Sequence, residues 1–381
     1  MASIRILERD ARTKQIVYVT GSRAEYGRMR SVLFSIIDKP MLRLSLIVTG
    51  MHLAEEFGSS FQEIERDGFR IDATINALPN RDTGAAMVEA MSECMKGVAE
   101  ALQQRQYDLV MVTGDRGEVL GASLAAKHLN IPVAHVGGGH VSGSIDNRIR
   151  DAVTIFSDIH FTANEICAKR VIDLGANPRD VFVVGAPDLD AVRKKEFASP
   201  EKVAKDFNLD LDEPIILVSQ HPVTTEVHEA TAQMRETMEA IRMLGLQTIV
   251  TYANADAGGR AMNRVLTEYE YLPFVKIYKT IPYGSYLGLM NVADVLVGNS
   301  SCGIIEGPSF DLPVVNIGTR QDGRLRAKNV IDVRYGRRQI LAGIKRARSR
   351  EFRRLVRKCK NPYGDGRTGR RIAGILARAA L

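Results

Sequence analysis

The sequence predicts an α/β protein of two Rossmann-like domains, each built on a parallel, doubly wound sheet, with a cleft between them. Three observations lead there. Short apolar, β-branched runs ending in Gly or a small polar residue alternate with longer stretches of helical spacing. The runs are apolar throughout rather than alternating, as strands covered on both faces are. The pattern stops around GAPDLDAVRKKEFASPEKVAKDF (185–207), where charge rises, and restarts at Pro214.

In the first half, QIVYVTG reads as a buried strand closed by Gly21, and EYGRMRSVLFSIIDK as the helix after it. LRLSLIVTG is the next strand. AAMVEAMSECMKGVAEALQQRQ is a long helix, followed by the strand DLVMVTG and the helix GASLAAKHL. IPVAHVG, DIHFTAN and VFVVGAP complete the set. In the second half PIILVSQ, LQTIVTYAN, FVKIYK, VLVGNS and LPVVNIG are strands with helical stretches between them. Repeated β-α units of this kind form parallel sheets, and ligands of open α/β sheets bind beyond the strands' C-terminal ends. Two such sheets facing each other place both sets of strand ends on one cleft. The expected division is 1–190 and 191–360, followed by a final segment, 361–381.

Composition narrows the function classes. A chain of 381 residues at 45% hydrophobic content is long enough for two sizeable cores. Four cysteines (Cys94, Cys167, Cys302, Cys359) lie far apart with no CxxC pair, which argues against a zinc site or disulfide framework and fits a reducing cytoplasm. The opening MASIRILERDARTK is charged and is not expected to be a secretory leader. No apolar run approaches the ~20 residues of a membrane span. The net charge of +7 is concentrated at one end: from Leu341 onward there are 13 Lys and Arg against 2 Asp and Glu. That segment reads as a solvated helix face or a clamp for a small anion; without interleaved aromatics, nucleic-acid binding is not expected.

The candidate site residues all follow strands. In VTGSRAEYG, Arg23 at a helix start suits a phosphate, or is a surface arginine. In VTGDRGEVLGA, Asp115 and Arg116 form an adjacent charge pair at a strand end; an N-cap with a salt-bridging arginine is the plain alternative. In SQHPVTTEVH, His221 is held extended by the following proline. In VGNSSCGIIEG, Gly298, Ser300 and Ser301 suit close approach of backbone and hydroxyls to a pyrophosphate. Glu306 lies within reach of a ribose diol, and a well-capped helix is the alternative. Neither a P-loop nor a GxGxxG fingerprint is present. In NIGTRQDGR, Arg320 completes a phosphate site or sits in a charged loop.

TGSRAEYG, TGMHL, GDR, GSIDNRIRDA, QHPVTTE, NADAG, GNSSCG, GTRQ and NPYGDG occur in this order, and over roughly Ile16 to Ile372 the chain resembles the hydrolysing UDP-N-acetylglucosamine 2-epimerases of sialic-acid-type biosynthesis. The resemblance implies a two-domain, glycosyltransferase-B-like fold whose last helix crosses back to the first domain. It implies a UDP-sugar in the cleft, no metal, no redox cofactor, and a homo-oligomer, dimer or tetramer. It implies elimination of UDP across C1 and C2 of the sugar, then hydration with reprotonation of C2 on the other face. By residue, it implies catalytic roles for Asp115, Asp146 and His221. It implies nucleotide or phosphate contacts for Arg23, Arg116, Ser300, Ser301, Glu306 and Arg320 and a place near the sugar for His52; Asn254, in NADAG, and Gly298 join them as candidate substrate-binding residues.

One loop departs from the family pattern. Where relatives carry HIEGGE, this chain has HVGGGH: Gly137 and His140 replace two glutamates. Asn147 and Asp151 replace an aspartate and a histidine. Two expectations follow. Either His140 takes over proton transfer, since imidazole titrates near neutral pH, or the site hydrolyses its nucleotide-sugar without epimerising it. A glycosyltransferase and an inactive nucleotide-sugar-binding protein remain the other readings.

Overall fold

The computed structural model describes residues 13–58, 60–79 and 81–379. The charged N-terminal dozen residues, read above as no leader, lie outside them. Two parallel sheets are present. The first has seven strands, β1 (Lys14–Thr20), β2 (Leu42–Thr49), β3 (Ile71–Ile75), β4 (Leu109–Thr113), β5 (Val133–Val136), β6 (Ile159–Thr162) and β7 (Val181–Val183), in the order β3-β2-β1-β4-β5-β6-β7. The second has six, β8 (Ile215–Ser219), β9 (Gln247–Thr251), β10 (Val275–Tyr278), β11 (Val295–Gly298), β12 (Val314–Ile317) and β13 (Val330–Val333), in the order β10-β9-β8-β11-β12-β13. Every neighbouring pair is parallel.

Both sheets are covered on both faces, which is why their strands read as unbroken apolar runs. In β1, Ile16 and Tyr18 enter one helix-covered core and Val17 and Val19 the other. In β8, Ile216 and Val218 face one core and Ile215 and Leu217 the opposite one. The edge strands β7 and β10 are only partly buried yet still read as strands in the sequence; β3 and β13 are the two that sequence pattern did not reveal. They are edge strands, only partly buried, with Asp72 and Asp332 among their residues.

The last helix, Thr368–Arg378, packs Ile372, Ala373 and Leu376 into the core of the first sheet beside Val32 and Leu33. Asp190 accepts from Thr368 N–H (2.8 Å) and Gly369 N–H (2.7 Å) and so caps that helix. Gly369 is needed for the close approach, because a Cβ there would lie 2.9 Å from the Ser31 carbonyl oxygen.

The two sheets meet across the cleft through several polar contacts. Gly143 N–H donates to the Arg320 carbonyl at 3.0 Å. Ile145 N–H donates to Thr224 Oγ1 at 3.3 Å. Asp82 also accepts from Gly258 N–H (2.6 Å) and Ala261 N–H (2.9 Å). These amides begin the helix Gly259–Thr267, whose own N-cap, Gly258, has no side chain to offer. Arg260, in the same turn, donates to the Pro79 carbonyl at 2.6 Å and pairs with Glu56.

Candidate active site

The cleft gathers strand ends from both sheets. Its wall includes Arg23, Asp115, Arg116, His140 and Asp146 from the first, and His221, Asn254, Ser300, Ser301, Glu306 and Arg320 from the second. Two residues expected in the substrate site, one from the resemblance and one from the strand-end motif, do not line it. His52 is wholly buried, and both its ring nitrogens are engaged inside the protein, Nε2 with Thr20 Oγ1 (3.0 Å) and Nδ1 with Ser60 Oγ (2.8 Å). Burial, then Arg23, pushes its pKa down to about 3, so it is a neutral buttress behind the wall. Gly298 likewise stands behind the cleft. Its φ is 134°, and a Cβ there would fall 2.1 Å from the Ser219 carbonyl oxygen. The glycine is required by the approach of β11 to the end of β8, not by a ligand. The helix expected after it is a single turn, Cys302–Ile305.

Asp115 follows β4 through Gly114, which turns with φ 86°. Its carboxylate is bound by Arg150, which is 1% exposed and also donates to the His140 carbonyl at 2.9 Å. Burial alone would raise the Asp115 carboxyl, but Arg150, Arg324 and Arg28 outweigh it and hold it well below the usual carboxylate range. Asp146 lies in the first turn of the helix Ile145–Ile155 and contacts Arg320 Nη2 at 3.3 Å across the cleft. Burial, then the negative Asp115, raises its carboxyl above the ordinary value despite Arg320. One site therefore holds two carboxyls pushed in opposite directions, the arrangement that separates an anionic stabiliser from a proton-carrying group.

His221 follows β8 by two residues. Asn299 holds its backbone, accepting from His221 N–H at 2.7 Å and donating to the His221 carbonyl at 2.8 Å. Its Nδ1 accepts from Asn254 N–H at 3.2 Å. That bond places the ring proton on Nε2, leaving an N–H donor for the cleft. Burial, then Arg320, Arg116 and Arg23, keeps its pKa well below the ordinary histidine value. His140 is also neutral: burial, then Arg324 and Arg150, holds it well below 6.5, against the expectation of a group titrating near neutrality. Its ring stacks obliquely on Tyr363 (5.5 Å between centroids) and its Nδ1 lies 3.6 Å from Cys167 Sγ. A Cβ on Gly137 would lie 3.9 Å from the His140 ring, so the imidazole borders the space that a side chain at 137 would enter.

The cationic wall is partly committed. Arg116 bridges the cleft to Asp256 (3.1 Å) and reaches Glu118 (3.5 Å). Arg23 keeps a buried Nη1 without a partner, as Asn254 does Oδ1 and Glu306 Oε2. Glu306 is buried beside Asp188; burial, then Asp188, raises its carboxyl well above the usual range. Thr319 turns away from the cleft to donate to Glu226 Oε1 at 2.6 Å. Sequence reasoning missed Arg150, Asp256, Arg28 and Glu25 in this wall. Arg150 carried a usable signal: it stands four residues after Asp146, on the same helix face. Among the described residues no cluster of three or more His, Cys, Asp or Glu is placed to hold a metal ion.

A model of UDP-N-acetylglucosamine 2-epimerases matches residues 35–377. The chain is 38% identical to the hydrolysing UDP-N,N'-diacetylbacillosamine 2-epimerase of Legionella pneumophila, covering 95% of each chain. It is 33% identical to polysialic acid biosynthesis protein P7 of Escherichia coli, covering 92% of this chain and 90% of that one. Among solved structures it resembles the UDP-GlcNAc 2-epimerase of Neisseria meningitidis bound to UDP-GlcNAc, with a TM-score of 0.81 at 18% identity, over 96% of this chain and all of that one. At that identity the likeness speaks for the fold.

Proposed function

Because this chain belongs to the UDP-N-acetylglucosamine 2-epimerase family, we propose that it is a hydrolysing 2-epimerase of a UDP-linked N-acetylated amino sugar, releasing UDP and the free 2-epimerised sugar. The observation that carries the reading is the pair Asp115 and Asp146, one held anionic and the other raised, beside two neutral histidines and a wall of arginines. UDP-N,N'-diacetylbacillosamine is the first substrate to test, given the Legionella relative. Sialic-acid-type biosynthesis, a cytoplasmic setting and a homo-oligomer belong to the same proposal. They rest on the relatives' names, the four free thiols and the family resemblance.

The protonation states support the following roles. Neutral His140 accepts the proton from C2 as the C1–O bond to UDP breaks, giving the glycal. Asp115 stays anionic and stabilises both the positive charge that develops at C1 and the imidazolium. Asp146, whose carboxyl burial and Asp115 raise, delivers a proton to C2 on the opposite face as water adds its hydroxide to C1. The proton on His140 returns to Asp146 through solvent. The water's remaining proton passes to the departed diphosphate or to solvent, so nucleotide-sugar and water become UDP and free epimer with every proton accounted for. Arg23, Arg320 and the Nε2–H of His221 hold the leaving diphosphate. Its charge raises the affinity of His221 for a second proton, so the histidine is poised to strengthen this bond during departure.

Gly137 supports one competing reading, hydrolysis without epimerisation, because it offers no side chain to the sugar. Turnover in deuterium oxide separates the two. Elimination and rehydration place one deuterium at C2 of the released sugar with inverted configuration. Retention of the C2 proton would refute the epimerase.

A further inference from the structure

Glu25 occupies the third position of the helix Arg23–Ile37, in the turn that carries Arg23 into the cleft. Its backbone N–H is capped by Ser22 Oγ at 3.4 Å, and its Oε2 accepts from Gly21 N–H at 2.8 Å. A helix-start glutamate that reaches back to a preceding amide is a capping device, and that accounts for Oε2. It does not account for Oε1, which is buried and has no partner. The residue is 3% exposed, yet it lies on the cleft wall with Arg23, Asp115 and Arg116. A carboxylate oxygen left dry and unpaired is costly, whereas a protonated Oε1 is a donor in need of an acceptor.

The surroundings favour the protonated form. A second buried carboxyl, Glu118, faces Glu25 from the helix Gly117–His128. The cation nearest both, Arg116, is already drawn to Asp256 and Glu118. Arg28, one turn along the same helix, also serves Asp188 and Glu306. Tyr18 from β1 donates to the Glu25 carbonyl at 3.3 Å, and Cys94 approaches from the helix Gly84–Gln103. Neither supplies positive charge.

We propose that Glu25 takes up a proton when the diphosphate of the nucleotide-sugar enters the cleft, and donates an Oε1–H hydrogen bond to a phosphoryl oxygen. The inference rests on the nucleotide-sugar reading above. Burial, then Glu118, already brings the empty-site carboxyl up to about 7, so little is needed to complete the change. Incoming negative charge moves it further in the same direction. Release of UDP returns the proton to solvent.

The test is calorimetry of UDP binding at pH 8 in buffers of different ionisation enthalpy, with wild type and Glu25→Gln. The amide keeps an oxygen for Gly21 N–H but cannot titrate. Wild type is expected to take up close to ~1 proton per UDP more than the variant, and to lose affinity by up to ~10-fold per pH unit above pH 8, where the variant declines less. Equal proton uptake by the two proteins overturns the proposal. Infrared difference spectra of the wild type should show a protonated-carboxyl band appearing with UDP. Its absence overturns the proposal without reliance on the variant's folding. Failure of wild type to bind UDP at all would instead defeat the nucleotide-sugar reading.

Discussion

Asp82 caps, from the first domain, a helix that belongs to the second. The helix Gly259–Thr267 begins at Gly258, in a left-handed conformation (φ 92°) with no cap of its own. Asp82 supplies it, taking the N–H groups of Gly258 and Ala261 at 2.6 and 2.9 Å. In Asp82→Ala both amides lose their acceptor. A helix cap contributes about 0.5–2 kcal/mol. The neighbouring Arg260–Glu56 pair, with Glu56 47% exposed, adds at most ~1 kcal/mol. Because the cap exists only while the domains are together, its loss falls on closure rather than on either domain's own fold. About 1 kcal/mol corresponds to a ~5-fold rise in the open population, and 2 kcal/mol to ~30-fold. The reporter is hydrogen exchange at Gly143 and Ile145. Their amides bond across the cleft, to the Arg320 carbonyl and Thr224, and do not touch Asp82. Exchange there should quicken by ~5- to 30-fold, while the strand amides of β1 and β8 stay protected. Unchanged exchange at Gly143 in a folded Asp82→Ala protein would show that Asp82 caps locally and does not govern closure.

Other substitutions probe the site more directly. His221→Ala should lower kcat by ~10²–10⁴, the span of a group that serves the leaving atoms, and undiminished turnover would remove it from the mechanism. His140→Ala should abolish sugar release with UDP affinity within about twofold, since the nucleotide contacts assigned here lie elsewhere. An NMR titration of His140 in the empty enzyme should show no midpoint near ~6.5, because burial and the arginines Arg324, Arg150 and Arg28 hold it lower; a midpoint there would contradict that environment. Gly298→Ala forces a Cβ into the Ser219 carbonyl at φ 134°, and should cost ~1–3 kcal/mol in urea unfolding. A neutral result would mean that β11 can retreat from β8.

The sequence alone determined the parts of this protein that local chemistry controls. Strands buried on both faces are mostly apolar, and runs such as QIVYVTG and PIILVSQ marked them; the partly buried edge strands VFV and VKIY were legible from the same β-branched and aromatic residues, giving eleven of the thirteen. The restart after residues 185–207 separated the two sheets, and ordered motifs at strand ends marked most of the cleft wall. The edge strands β3 and β13 were not legible, because a half-exposed IDATI or VIDV has no continuous apolar signature. What only the tertiary structure decided was partnership across elements distant in the chain. Arg150 meets Asp115 from 35 residues away, and Arg116 reaches Asp256 in the other domain. No periodicity encodes either pair. Those pairings set the charge of each acid, since a carboxyl's pKa depends on which cations the fold brings beside it and how much water the fold removes. They also separate residues of like appearance. His221 offers Nε2–H to the cleft because Asn254 occupies its other nitrogen, while His52 has both nitrogens spent inside the protein. Glu25, one unremarked letter in SRAEYG, enters the cleft wall only because the first helix starts at its rim.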